Sequence, residues 1–177
     1  MSNTLNANYV AIVKRDCPTC QLVVPALQEL LVAGQLTVWS QDDPAFPEAL
    51  GGARDDRSLE RSHQYGIDIV PTLLKFEGGR EVDRTEGWNQ LAWRALTSMD
   101  RLGEALVFAQ PGCGSLSVEP GMPERLALRF GGLEFRSRAI DVDEMEDPIE
   151  VSFDRGWSDG LPVVPPTELR VARMLTG

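Results

Sequence analysis

The 177-residue sequence predicts an α/β fold over residues 1–102, followed by an α+β extension over residues 103–177. Three observations predict it. An apolar run at residues 9–13 leads directly into an apolar-periodic segment carrying Leu22, Val23, Leu27, Leu30 and Leu31, which is the pattern of a buried strand and then a helix. Strand-like and helix-like stretches go on alternating as far as residue 99. From about Gly103 the texture changes, with prolines and glycines clustered at residues 110–114 and 120–123.

Each element has its own local cause. Residues 9–14 read as a buried strand, and residues 17–33 as a helix ended by Gly34. Residues 36–40 form a second strand, and residues 41–52, with two prolines and two glycines, a loop. Residues 55–65 read as a polar helix stopped at Gly66. Residues 67–76 are a strongly apolar strand interrupted by Pro71; Glu77-Gly78-Gly79-Arg80 then supplies a hairpin turn, and residues 81–85 return. Residues 88–99 form a helix that offers Leu91, Trp93, Ala95 and Leu96 for packing. In the extension a short helix is expected at residues 123–130 and a strand at 133–140. An acidic stretch follows at 141–150, then a proline-held extended segment at 157–166 and a last helix at 167–175 capped by Thr167.

Composition narrows the function. At 42% hydrophobic and 25% charged residues the chain has the make-up of a soluble globular protein. Its net charge of −10 argues against nucleic acid and anionic membranes as partners, because both are held by basic patches. No apolar run approaches the ~20 residues of a membrane span. Residues 1–6 lack the basic start and apolar core of a signal peptide, so the cytoplasm is the expected location. Three cysteines do not make a disulfide scaffold, and two of them in a CxxC read as a redox pair.

That pair is Cys17-Pro18-Thr19-Cys20, placed where the first strand passes into the first helix. A thiolate at a helix N-terminus faces unpaired backbone N–H groups and the positive end of the helix dipole, so its pKa falls. Cys17 is the expected nucleophile and the more exposed thiol, aided by the cations Lys14 and Arg15 and opposed by Asp16. Cys20, one turn on and more buried, would resolve the mixed disulfide. The alternatives are half of a zinc site or two inert thiols. Zinc asks for about four ligands, and His63 and Cys113 are the other Cys or His side chains of the chain.

The first ~100 residues resemble thioredoxin in several features that occur in the right order. Beyond the CxxC, Pro25 stands five residues after Cys20, where thioredoxins kink their active-site helix. Gly66-Ile67-Asp68-Ile69-Val70-Pro71-Thr72-Leu73-Leu74 resembles their cis-proline segment. Phe76-Glu77-Gly78-Gly79-Arg80-Glu81-Val82 resembles the following hairpin, and Gly87 precedes the last helix. The resemblance implies a thioredoxin fold, a mixed central sheet flanked by helices. It also implies a cis Val70–Pro71 bond facing the cysteines, whose backbone pairs with an incoming substrate peptide and whose proline blocks metal capture by the thiols. Lys14, Pro18, Thr19 and Val70 become the substrate-binding candidates, with Cys17, Cys20 and Pro71 the catalytic ones. The pattern departs from thioredoxin at Asp16, where the family carries Trp, and at Ala11, where it buries an acid that helps deprotonate the resolving thiol. Lys14 and Pro18 resemble glutaredoxin instead, yet no glutathione-binding Gly-Gly-x-Asp segment follows Pro71.

Residues 154–177 are similar to the start of a bacterial family carrying a selenocysteine- or cysteine-Gly-Ser-Cys motif, through Gly156-Trp157-Ser158-Asp159-Gly160-Leu161-Pro162-Val163-Val164-Pro165-Pro166-Thr167. This implies that the chain is the front of a longer fusion or part of a larger assembly. Cys113, in Pro111-Gly112-Cys113-Gly114-Ser115, reads either as a third redox thiol in a relay or as a loop cysteine without chemistry. His63 and the acidic stretch read as solvated, or the stretch as a docking surface for a basic partner. The tryptophans read as packing residues, or Trp157 as a docking anchor. Three functions follow in order. The first is a thiol–disulfide oxidoreductase that needs no bound cofactor, acts on a protein or small-molecule disulfide, and is recycled by an unidentified thiol or disulfide reductase. The second is an electron-delivery module for an attached or partner enzyme domain. The third is a binding scaffold with an inactive CxxC.

Overall fold

The computed structural model describes residues 8–34, 36–133, 135–161 and 163–176, and they fall into two compact units, Met1–Leu126 and Ala127–Gly177. Residues 103–126 thus cluster with the residues before them rather than with the extension in which they were expected.

The first unit is built on a five-stranded mixed sheet. Strand β1 (Asn8–Val13) lies at its centre, parallel to β2 (Leu36–Ser40), which in turn pairs in parallel with the short β3 (Arg54–Asp55). On the other side of β1, strands β4 (Ile69–Val70) and β5 (Thr72–Glu77) flank Pro71; β5 runs antiparallel to β1 and to β6 (Arg80–Glu86). The order is β3-β2-β1-β5-β6, with helices on the flanks, the α/β arrangement that the resemblance implies. Ala11, Ile12 and Val13 are all fully buried. Successive strand residues point to opposite faces, so both faces of β1 are covered.

The predicted first helix is two helices, α1 (Pro18–Leu22) and α2 (Val24–Val32). Pro25 has no N–H to give the preceding turn and its ring crowds it, so the chain breaks at Val23 and α2 restarts with Pro25 in its first turn. The predicted helix at 55–65 shrinks to α3 (Glu60–Gln64). Its start is set by Asp56, whose carboxylate accepts from the backbone N–H of Arg61 (2.8 Å) and Ser62 (3.0 Å). Leu59 makes the turn between them at φ 60°, a conformation uncommon for a non-glycine residue. Strand β7 (Trp88–Asn89) leads into α4 (Gln90–Thr97), capped by the Asn89 side chain on the Ala92 N–H at 3.0 Å. Trp88 and Trp93 pack edge to face, 5.1 Å apart, deep in the core with Leu27, Leu30, Leu73 and Leu74. Each such side chain fully buried stabilises the fold by roughly 1.5–3 kcal/mol.

Two short strands follow, β8 (Ala109–Gln110) and β9 (Cys113–Gly114), and then α5 (Met122–Phe130). β8 pairs with β7, and β9 pairs antiparallel with β4. Among its described residues the second unit holds α6 (Pro148–Asp154) and α7 (Glu168–Thr176) and no strand. The strand expected at 133–140 is therefore not formed by the residues described there; they make no backbone ladder. The acidic stretch ends in a helix that was not expected: Asp147 caps α6 through the Ile149 N–H at 2.8 Å, and Pro148 occupies its first position. Among the described residues no helix is long and apolar enough to cross a membrane.

Candidate active site

Cys17 is the N-cap of α1, with extended backbone (φ −152°, ψ 113°) and Pro18 next at the first helical position. The Cys20 backbone N–H reaches the Cys17 Sγ at 3.3 Å. Its pKa falls to about 5. The first cause is a hydrogen bond from the Cys20 thiol; the Cys113 thiol and the backbone N–H groups of Cys20 and Thr19 add to it, and burial opposes it. Cys20 is fully buried, and burial with the neighbouring Cys17 pushes its thiol strongly up. Its Sγ accepts from the Lys14 backbone N–H at 3.5 Å. At pH 7 the pair is thus a thiolate at Cys17 backed by a protonated thiol at Cys20.

The expected cations play a different part. The Arg15 guanidinium is engaged by Asp43 (2.7 Å) and Glu48. Lys14 donates through Nζ to the Gly114 carbonyl at 2.9 Å. The dominant stabilisation of the thiolate comes from the Cys20 thiol, then the Cys113 thiol and the backbone N–H groups of the helix terminus, not from these side chains.

The expectation that Cys17 is exposed is also corrected: it has no accessible surface. The cover is β9 with the residues before it. Val70 and Cys113 stand opposite each other in the β4–β9 ladder, and the Cys113 Sγ lies 2.7 Å from the Cys17 Sγ, both thiols unbonded. With Cys17 ionised, Cys113 is the S–H donor of this contact. Burial and the adjacent Cys17 raise the Cys113 pKa. Cys113 itself is half-buried.

The residues picked out for substrate binding all adjoin this segment except Pro18, which is exposed. The Val70–Pro71 bond is cis, and the Val70 carbonyl oxygen stands 3.6 Å from the Cys17 Sγ. Thr19 donates through Oγ1 to the Pro111 carbonyl at 2.6 Å and accepts from the Gln110 side chain at 2.9 Å. Gly112 passes so close to β4 that a Cβ there would lie 2.7 Å from the Val70 carbonyl oxygen. The close approach is mutual: a Cβ at Gly87, itself at φ 65°, would lie 2.7 Å from the Gly112 nitrogen.

Two groups escaped the sequence reading. Asp42 ties down the loop before the cysteines, accepting from the backbone N–H of Arg15 (2.8 Å) and Asp16 (3.0 Å). Gln41 is buried and donates through Nε2 to the hydroxyls of Ser62 (2.7 Å) and Ser115 (2.6 Å), while its Oε1 accepts from the Leu116 N–H at 3.1 Å. Ser117 adds a bond to the Ile67 carbonyl at 2.6 Å. A polar pair just after a strand was the available signal, but its partners lie from 21 to 75 positions away. His63 lies on α3, half-buried, away from the CxxC helix in sequence and fold element. Among the described residues, no group of three or more His, Cys, Asp or Glu side chains is placed to hold a metal ion. In the second unit Trp157 is exposed, with the Arg155 guanidinium 5.3 Å over its ring.

No protein-family model matches the chain. Among solved structures it is similar to a thioredoxin of Malassezia sympodialis at 14% identity, over 53% of this chain and 75% of that one, with a TM-score of 0.36. It is also similar to a hypothetical protein of Sinorhizobium meliloti at 19% identity, over 61% and 78% of the two chains, with a TM-score of 0.38.

Proposed function

We propose that the chain is a thiol–disulfide oxidoreductase working through Cys17 and Cys20. The observation that carries this is the asymmetry of the pair: a helix-capping thiolate with a pKa of about 5 in front of a buried thiol held protonated. Inert cysteines have no such division. The Cys17 thiolate attacks one sulfur of a disulfide R–S–S–R, expelling RS⁻ and forming a mixed disulfide. Cys20 then attacks the Cys17 Sγ and expels the second RS⁻, which takes up the proton Cys20 gives away. With the first RS⁻ taking its proton from solvent, the net change is one disulfide reduced to two thiols and one Cys17–Cys20 disulfide formed. Ala11, fully buried, offers no carboxylate for the Cys20 proton, so the leaving thiolate is its acceptor. An external thiol reductant returns the pair to the dithiol, and the working location is the cytoplasm.

A second reading, delivery of electrons to one attached or partner enzyme domain, is favoured by the proximity of Cys113, from beyond residue 102, to Cys17. The test of the main reading is titration of the intact chain in defined dithiothreitol buffers with mass mapping of alkylated peptides. A reversible Cys17–Cys20 disulfide is expected, with reduction of insulin lost in Cys17→Ser. Independent labelling of the three thiols at every poise would overturn it.

A further inference from the structure

Resting on that reading, we infer that Cys113 is a third redox thiol of the same site, a tethered exchange partner that passes electrons between Cys17 and disulfides outside. Three independent features converge on it. The segment 110–114 lies along the backbone edge before Pro71, held by β4–β9 pairing, by Thr19 and Gln110 at one end and by Lys14 at the other. Within that segment the register sets Cys113 opposite Val70, with its sulfur 2.7 Å from the nucleophile. An extended peptide presenting a cysteine to Cys17 is what a substrate of such a pair looks like, and here the chain supplies it. The third feature is accessibility. Cys17 and Cys20 are fully buried while Cys113 is half-buried, so a disulfide arriving from solvent meets Cys113 first. A plain steric cover has no need of a thiol at the one register position that faces the nucleophile.

The seat is built, not incidental. Gln41, Ser62, Ser115 and Ser117 form a buried hydrogen-bonded chain that clamps the stretch after Cys113 onto the sheet side. On the other flank the Trp88 indole N–H donates to the Val107 carbonyl at 2.6 Å, and the Gln90 backbone N–H to the Phe108 carbonyl at 2.9 Å. Both flanks thus hold the strand in place.

The chemistry balances. Cys113 passes its proton across the 2.7 Å contact to Cys17 and attacks an external disulfide R–S–S–R as the thiolate, forming Cys113–S–S–R; the expelled RS⁻ takes that proton from Cys17 and leaves as RSH, which restores the Cys17 thiolate. The Cys17 thiolate attacks the Cys113 Sγ, expelling the second RS⁻ and forming a Cys17–Cys113 disulfide. Cys20 attacks the Cys17 Sγ, giving the Cys17–Cys20 disulfide, and its proton returns to Cys113. Two electrons have moved from the Cys17 and Cys20 thiols to the substrate, and an external dithiol recharges the pair.

The experiment uses the full chain and hydroxyethyl disulfide as the small probe, with insulin as a protein substrate. In Cys20→Ser, mild oxidation should accumulate a Cys17–Cys113 cross-linked peptide by mass mapping. In Cys17→Ser, hydroxyethyl disulfide should leave its adduct on Cys113. Cys113→Ser should lower insulin turnover at least tenfold while a Cys17–Cys20 disulfide still forms under titration. Turnover in Cys113→Ser equal to or above that of the native chain overturns the relay and makes the segment a cover. Absence of the Cys17–Cys113 peptide in Cys20→Ser overturns it equally. A native chain that never forms Cys17–Cys20 fails the underlying reading instead, so the two failures are separate.

Discussion

The sharpest consequence of the site is the ionisation of Cys17 and its dependence on Cys20. With a pKa of about 5, Cys17 is almost wholly thiolate at neutral pH. An ordinary thiol of pKa ~8.5 is only about 3% ionised at pH 7, so the nucleophilic form is enriched roughly thirtyfold. The first-ranked support is the hydrogen bond from the Cys20 thiol. Cys20→Ala removes that donor and keeps the backbone N–H at 3.3 Å and the Cys113 thiol at 2.7 Å. The Cys17 pKa should therefore rise while staying below the ordinary thiol value. Ultraviolet thiolate absorbance against pH, with Cys17→Ser as the blank, reads both midpoints without requiring a reagent to reach a covered sulfur. The same shift fixes the pH dependence of stability. The folded pKa lies below the unfolded one, so the thiolate contributes stability that is complete above the ordinary thiol value and is lost as pH falls through about 5. Melting temperatures should decline on that acid limb more in the native chain than in Cys17→Ser. A native midpoint at the ordinary thiol value, or one unmoved by Cys20→Ala, refutes the hydrogen-bond account of the activation.

Gly112→Val retains all three thiols but places side-chain atoms where a Cβ already lies 2.7 Å from the Val70 carbonyl oxygen. It should lift β9 off β4, speeding iodoacetamide labelling of Cys17 at least tenfold and loosening amide-exchange protection in residues 110–114; unchanged labelling would show that the segment is not the cover. Gln41→Leu takes the amide from the Ser62 and Ser115 hydroxyls, which keep Asp56 and Ser117, and removes the acceptor of the Leu116 N–H; it should destabilise the fold by about 1–3 kcal/mol in urea unfolding. A neutral Gln41→Leu would mean that this network does not clamp the segment.

What was legible in the sequence was local. The apolar run before Cys17, the glycine stops and the hairpin glycines are read over a few residues, and the strands and helices they predict are largely present. Pro25 was visible as a kink, although it cuts the helix in two, because one missing N–H in a first turn and one ring clash suffice to restart it. A strand was expected at 133–140, but among the described residues no neighbouring strand supplies partners for the backbone there. The Cys17 environment was half legible: its helix terminus could be read, but the engagement of Arg15 by Asp43 and Glu48 depends on how the loop after β2 folds back. Gln41 and Asp42 were invisible for the same reason, since a polar side chain carries no mark of partners that tertiary structure brings from far along the chain.

Cys113 shows where such reading stops and geometry takes over. Ninety-six positions separate it from Cys17, and its glycine-rich setting suggested only freedom. In the fold one of those glycines does the opposite: Gly112, with Gly87 from the strand pair before α4, lets two backbones approach at a distance no side chain would permit, and the freedom becomes close packing. The outcome resolves a tension within the site. A thiolate with a pKa near 5 is reactive at every physiological pH, yet here it is wholly covered. A nucleophile that must be both charged and hidden needs a cover that stabilises the charge and can itself react. A hydrocarbon side chain at position 113 would strip solvent from the thiolate and return no hydrogen bond. A hydroxyl would return the hydrogen bond but could not exchange sulfur. A thiol does both, which is why the identity of residue 113, more than the presence of a strand there, decides between a relay and a plug.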